Sequence, residues 1–320
     1  MDVKMVMLPP QSDVTRRWAE QLTNDVQGLS VVVCESDDEA ATEIGDADAA
    51  FGTLPPQLLA NATRLRWLQA PAAAPPAGYY SPELVAHPLV VTNFRGVYND
   101  HLGTHAMALT LALARNLQRY LPKQHLGKWD PNKDPSSVIH LPEATALIIG
   151  VGGVGTALVG YCKAFGMRVI GVDLVSKDVP DAEMHTVQEL DRLLPEADVV
   201  ILTVPHTPDT EGLMDARRFA LMKSSAVLVN IGRGMTVRLD DLQQALINDE
   251  IAGAGLDVYE IEPLPPEHPL WTTPNVLLTP HTAMTGPHTP ERRYEVFVEN
   301  ARRFVAGEQF INVSNKELGF

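Results

Sequence analysis

Short apolar runs alternate with segments of helical period in two stretches of the chain, the pattern left by parallel strands joined through crossover helices. In the first stretch, about residues 3 to 100, Lys4 to Leu8, Leu29 to Cys34, Ala49 to Gly52, Leu65 to Gln69 and Leu89 to Asn93 read as strands. Asp13 to Gln27, Asp37 to Ile44 and Pro82 to Val85 read as helices between them. The second stretch holds six β-type runs: Ala144 to Ile149, Met167 to Asp173, Asp198 to Thr203, Ala226 to Asn230, Gly253 to Asp257 and Asn275 to Thr279. Two segments of helix formers flank it, the Ala/Leu-rich His105 to Tyr120 and residues 291 to 306, where Tyr294, Phe297, Val298 and Phe304 give an approximate apolar face. The pattern predicts a discontinuous domain, residues 1–103 plus 287–320, with a second domain, 104–286, inserted into it. The two flanking helices are then the crossings where hinge motion is expected. GEQFINVSN after residue 306 reads as a tail, and 121 to 144, rich in proline and charge, as a surface loop.

A length of 320 residues suits two compact domains. No run approaches the ~20 apolar residues of a membrane span, and the opening MDVKMVMLPP lacks the basic and apolar regions of a secretion signal, so a cytoplasmic location is expected. The formal charge of -15, spread diffusely, disfavours nucleic acid and anionic membrane as partners. It also means that an anionic substrate needs a local positive site, which gives weight to any arginine among the candidates. Cys34 and Cys162 lie in an apolar run and in a helical segment, so both read as buried thiols, with neither a disulfide nor a metal site implied.

The strongest local signal is ALIIGVGGVGTALVGYCKAFGMRVIGVD. An apolar strand runs into Gly150, Gly152 and Gly155, spaced G-x-G-x-x-G with Gly153 and Val154 between. A helix-period segment follows, and a second apolar strand ends in Asp173, 18 residues past the last glycine. The first glycine permits a tight turn, the second lets a pyrophosphate approach the backbone, and the third allows close packing of helix on strand. Phosphates then sit at a helix N-terminus, where free N–H groups stabilise negative charge. Asp173 would accept from the adenosine ribose hydroxyls and repel a 2′-phosphate, so NAD is the expected cofactor, with NADP the less favoured one.

Beyond the fingerprint lie VILTVPHTPDTEGLM (200 to 214), LVNIGRG (228 to 234), GAGLDVYEIEPLP (253 to 265) and LLTPHTAMTG (277 to 286). Together with VTNFRGVYNDHLGTHAMALTLALARNL (91 to 117), they resemble the D-specific 2-hydroxyacid dehydrogenase family over nearly the whole chain. The resemblance implies two Rossmann-like, doubly wound parallel-sheet α/β domains, the NAD-binding one inserted in a discontinuous substrate domain, and a homodimer. It implies Arg233, Glu262 and His281 as a catalytic trio, 29 and 19 residues apart. The chemistry agrees: reduction of a 2-keto acid needs a fixed cation for the carboxylate, which Arg233 supplies, and a proton donor for the carbonyl oxygen, the role of His281. Glu262 would orient the imidazole and favour its protonated form.

By the same likeness Asp257 contacts the nicotinamide carboxamide, while Val204, Pro205, Ile231 and Gly232 line the cofactor. His206 reads as a cofactor-side neighbour and His105 as a packing residue. Trp129 either covers the pocket or anchors its loop. The first-domain loop that gives N–H groups to the substrate carboxylate in the family is here QAPAAAPPAGYY. Pro75 and Pro76 cannot donate, leaving Ala72, Ala73 and Ala74 as donors, Tyr79 and Tyr80 as walls, and Arg95 as a cation that could approach. The acidic pair usual after the RG motif is replaced by Arg238 and Leu239, a change expected to affect helix capping or dimer contacts. The expected activity is NADH-dependent reduction of a glyoxylate- or hydroxypyruvate-like acid. Phosphoglycerate dehydrogenase, an NADPH-preferring reductase and a nucleotide-sensing corepressor-like protein are the alternatives.

Overall fold

The computed structural model describes residues 3–73, 75–76, 78–131, 137–174 and 177–319. In chain order its first elements are β1 (Val3–Met7), α1 (Asp13–Asp25), β2 (Leu29–Val33), α2 (Asp37–Glu43), β3 (Ala49–Phe51), α3 (Pro56–Leu59), β4 (Trp67–Gln69), α4 (Pro82–Ala86) and β5 (Val90–Thr92). There follow α5 (Asn99–Ala114), α6 (Leu117–His125), β6 (Thr145–Ile149), α7 (Gly153–Ala164), β7 (Arg168–Asp173), β8 (Glu183–Thr186), α8 (Leu190–Leu193), β9 (Val199–Leu202) and α9 (Ala216–Phe219). The last are β10 (Val227–Asn230), α10 (Leu239–Ile247), β11 (Gly253–Leu256), β12 (Val276–Leu278) and α11 (Thr289–Ala306). The chain divides into two compact units, Met1–Val97 with Gly286–Phe320, and Tyr98–Thr285.

In the first unit five parallel strands lie in the order β2-β1-β3-β4-β5. Met5, Val6 and Met7 of the interior strand β1 are fully buried, as a strand covered on both faces by helices requires. An aromatic cluster seals the face under α1 and α11. Trp18, Phe51 and Phe297 pack at centroid distances of 5.0 to 6.2 Å, and Trp67 reaches Phe304 and Phe310 at 5.4 and 5.2 Å. The segment after α11, expected to be a tail, is part of this unit instead. Phe310 packs against Trp67, the Asn93 N–H donates to the Asn312 carbonyl, and Val313 bridges antiparallel to Thr92. A phenylalanine and a run able to pair with an edge strand outweigh the polar composition around them.

The second unit is a seven-stranded parallel sheet, β12-β11-β10-β9-β6-β7-β8. The six expected runs are all strands, and β8 is an addition: its sequence, Glu-Met-His-Thr, is polar because it sits at the edge with one neighbour, β7. The expected helix 105 to 120 is also corrected. α5 starts at Asn99 and stops at Ala114, and Asn116 adopts a left-handed φ of 59° before α6 begins. Strand order reverses between β6 and β9, the place where open α/β sheets receive ligands at their carboxyl ends. Both cysteines are buried, and burial pushes the Cys162 thiol up to about 12. No described helix is long and apolar enough to cross a membrane.

Candidate functional site

At the carboxyl end of β6 the chain turns through Gly150, whose φ is 94°, and enters α7 with Gly152 as N-cap. A Cβ on Gly155 would stand 2.2 Å from the Gly150 carbonyl oxygen, so only glycine lets the helix press this closely on the strand exit. A Cβ on Gly152 would meet nothing within 4 Å, which leaves its backbone open to a ligand. No side chain caps α7, and its first N–H groups, at Gly153 and Val154, lie at the positive end of the helix dipole. Asp173 closes β7 beside this loop, accepting from the Val151 N–H at 3.1 Å and pairing with Lys177 at 3.1 Å. An open backbone cradle, an uncapped helix start and a carboxylate at the next strand end fit a dinucleotide's pyrophosphate and ribose. Asn99, the first residue of α5, also reaches this loop: a Cβ on Gly153 would meet its side-chain amide at 2.5 Å. Nothing in the local sequence marked Asn99, because the contact spans the α5–α7 crossing.

Val204 and Pro205 follow β9, and Ile231 and Gly232 follow β10, so these four line adjoining strand exits. Gly232 lies so near Val204 that a Cβ would sit 2.7 Å from its carbonyl oxygen. Asn230, fully buried, fixes the β10 exit: its Oδ1 accepts from the Gly232 N–H at 3.0 Å and its Nδ2 donates to the Arg233 carbonyl at 3.1 Å. Arg233 is thereby held with Nη1 donating to the Gly232 carbonyl at 2.7 Å. No carboxylate stands within ion-pairing distance of its guanidinium among the described residues. Burial lowers the guanidinium's pKa from the ordinary arginine value, and the charge of Glu262 offsets part of that.

The next residue explains why the β10 and β11 exits can meet. A Cβ on Gly234 would fall 1.8 Å from the Tyr259 carbonyl oxygen, so Gly234→Ala should lower the unfolding free energy by about 3 kcal/mol. Denaturant titration checks this, and an unshifted midpoint would mean that the two exits separate at little cost. Past that contact, the Tyr259 N–H donates to Glu262 Oε1 at 2.9 Å, and Glu262 Oε2 meets His281 Nδ1 at 2.6 Å. His281 has a left-handed φ of 51°, and its N–H donates to the Asp257 carbonyl at 2.9 Å. The Asp257 carboxylate is buried and accepts from the Thr279 hydroxyl at 2.6 Å and from the Thr282 and Ala283 N–H groups at 2.9 Å each. It anchors the turn that presents His281.

Arg233, Glu262 and His281 thus come together in the second unit, with the glycine loop, Asp173 and Asp257 in the same unit. Ala73 and Arg95 belong to the first unit, half-buried and exposed respectively, and Ala74 lies outside the described residues. Tyr79 is no open wall: it is buried, and its hydroxyl donates to the Gly52 carbonyl at 2.9 Å. His206 faces Glu211 at 3.5 Å. Trp129 is 96% exposed, so it does not anchor its loop within the described residues. At Arg238, the first turn of α10 is capped from another element: Glu260 accepts from the Leu239 N–H at 2.8 Å, which replaces the local acid that the RG segment lacks.

Residues 107–283 match the family described as D-isomer specific 2-hydroxyacid dehydrogenase, NAD binding domain. The glyoxylate reductase of Korarchaeum cryptofilum is 36% identical over 236 residues, spanning 72% of this chain and 70% of its own. The hydroxypyruvate reductase of Blautia hydrogenotrophica is 29% identical over 289 residues, spanning 87% and 88%. Among solved structures, a D-isomer specific 2-hydroxyacid dehydrogenase from Xanthobacter autotrophicus Py2, in complex with NADPH and MES, is similar over 100% of both chains, with a TM-score of 0.85 at 26% identity.

Proposed function

Because the chain belongs to the D-isomer specific 2-hydroxyacid dehydrogenase family, we propose that it reduces a small 2-keto acid of the glyoxylate or hydroxypyruvate kind to the D-2-hydroxy acid, with NADH as cofactor. The carrying observation is a half-buried guanidinium without a carboxylate partner beside an imidazole–carboxylate pair, both at strand exits of a dinucleotide fold. Arg233 takes the substrate carboxylate through its planar fork. His281 gives a proton to the carbonyl oxygen and takes it back in the oxidative direction. Glu262, fixed by the Tyr259 N–H, holds Nδ1 and leaves Nε2 for the substrate. The nicotinamide, when bound, supplies the hydride to the carbonyl carbon. Ala73, Ala74 and Arg95 are proposed as further substrate contacts, and a cytoplasmic homodimer as the assembly.

A panel of 2-keto acids, including a phosphorylated one, followed by loss of the NADH absorbance band tests the reading. Turnover of glyoxylate or hydroxypyruvate is the expected result, and binding of NADH with no turnover of any acid would replace the enzyme with a nucleotide sensor. The cofactor choice rests on Asp173. The wild type should favour NADH over NADPH, and Asp173→Ala should narrow that preference roughly tenfold, since one unit charge at a partly exposed site is worth about one pKa unit. Lys177 at 3.1 Å from Asp173 works against the preference, and a wild type that favours NADPH would show the lysine outweighing the acid.

A further inference from the structure

His105, on the second turn of α5, reaches across the second unit: its Nε2 stands 2.9 Å from the Thr279 hydroxyl and 3.5 Å from Asp257 Oδ1. A threonine hydroxyl has a single proton, and here it goes to Asp257 Oδ1 at 2.6 Å, the shorter contact to an acceptor. The Thr279 oxygen must then accept from His105, so Nε2 carries the hydrogen in either the neutral or the charged ring. The line Nε2–H to hydroxyl to carboxylate has one direction throughout, and each donor strengthens the next. It ends on the carboxylate that holds the N–H groups of Thr282 and Ala283, the two residues that follow His281. Without the His105 donor, the hydroxyl can rotate toward the Leu256 carbonyl, already 3.4 Å away. Asp257 then loses its shortest contact.

We propose that His105 is a positioning residue for the reaction, acting through Thr279 and Asp257 to fix the turn that aims His281. The inference rests on the assignment of His281 as the acid–base group, but its geometry is independent of substrate.

The test compares His105→Leu, His105→Gln and Thr279→Val in the full chain with NADH and the best 2-keto acid of the panel. His105→Leu should lower kcat roughly tenfold, the worth of about one net hydrogen bond at the reacting group. Glutamine carries an N–H at nearly the reach of Nε2 and should restore most of kcat. Thr279→Val should match His105→Leu, and the double variant should lose no more than either alone. Amide hydrogen exchange of Thr282 and Ala283, read without substrate, should quicken in the leucine variant and recover in the glutamine one. Wild-type kcat in His105→Leu, additive losses in the double variant, or a glutamine variant no better than leucine would each overturn the proposal. If the wild type turns over no acid, the enzymatic reading falls, and unchanged exchange at Thr282 and Ala283 in His105→Leu would dismiss the positioning role on its own.

Discussion

His281→Ala should turn over 2-keto acid roughly 10²- to 10⁴-fold more slowly than the wild type, the usual worth of a positioned acid–base group, with its affinity for the dinucleotide kept. The expectation comes from the allocation of protons. Glu262 accepts from the Tyr259 N–H through Oε1 and faces His281 Nδ1 through Oε2 at 2.6 Å, so an ionised carboxylate there requires the hydrogen on Nδ1. Nε2 is the nitrogen left to exchange a proton, and the side chain is 43% exposed, so a substrate can reach it. Alanine removes the donor but leaves the Asp257 contacts to Thr282 and Ala283, which do not involve the imidazole. Steady-state kinetics and fluorescence titration with NADH separate the two quantities. Turnover equal to the wild type would take His281 out of the mechanism, and lost NADH binding would make it a cofactor residue.

Arg233→Gln should cost roughly 10²- to 10³-fold in kcat/KM for the keto acid, the equivalent of about 3 to 4 kcal/mol for a charged contact in a desolvated site. The guanidinium is half-buried and spends one N–H on the Gly232 carbonyl, which leaves a fork of donors and a full charge for the substrate carboxylate. Glutamine keeps a polar tip but neither the charge nor the bidentate geometry. If the carboxylate is held equally in ground and transition states, the loss appears in KM; if the grip tightens as charge develops on the carbonyl oxygen, kcat falls as well. Unaltered kcat and KM would send the search for the anion site elsewhere.

The strands were legible wherever burial on both faces demanded an apolar run, and β8 was not, because a four-residue edge strand with one neighbour can be polar. The break in the crossing helix is illegible in the sequence for a different reason. Residues on both sides of Asn116 are good helix formers, and the left-handed φ of a single asparagine leaves no trace in composition. Within the site, the glycine loop was legible because it is made by steric necessity: Gly155 stands where a methyl group would strike the Gly150 carbonyl oxygen. Arg233, Glu262 and His281 were legible only through the motifs around them. Asn99 and His105 act through contacts that no short motif contains; His105 and Thr279 are 174 residues apart in the chain and 2.9 Å apart in the fold.

The pairing of residues 312–314 with β5 bears on how the protein is made. The Val91 carbonyl accepts from the Ser314 N–H and the Thr92 strand end bridges to Val313, so the outer rim of the first sheet is guarded by amino acids that leave the ribosome after the whole of the second unit. Until then the nascent β5 offers bare amides and carbonyls to any passing strand, the usual seed of aggregation. The continuous unit, Tyr98–Thr285, can mature during translation, whereas the split one waits for its final stretch. Truncation upstream of residue 312 should therefore give insoluble chains rather than a trimmed enzyme, and yield in a cell should depend on chaperones that shield an unfinished sheet.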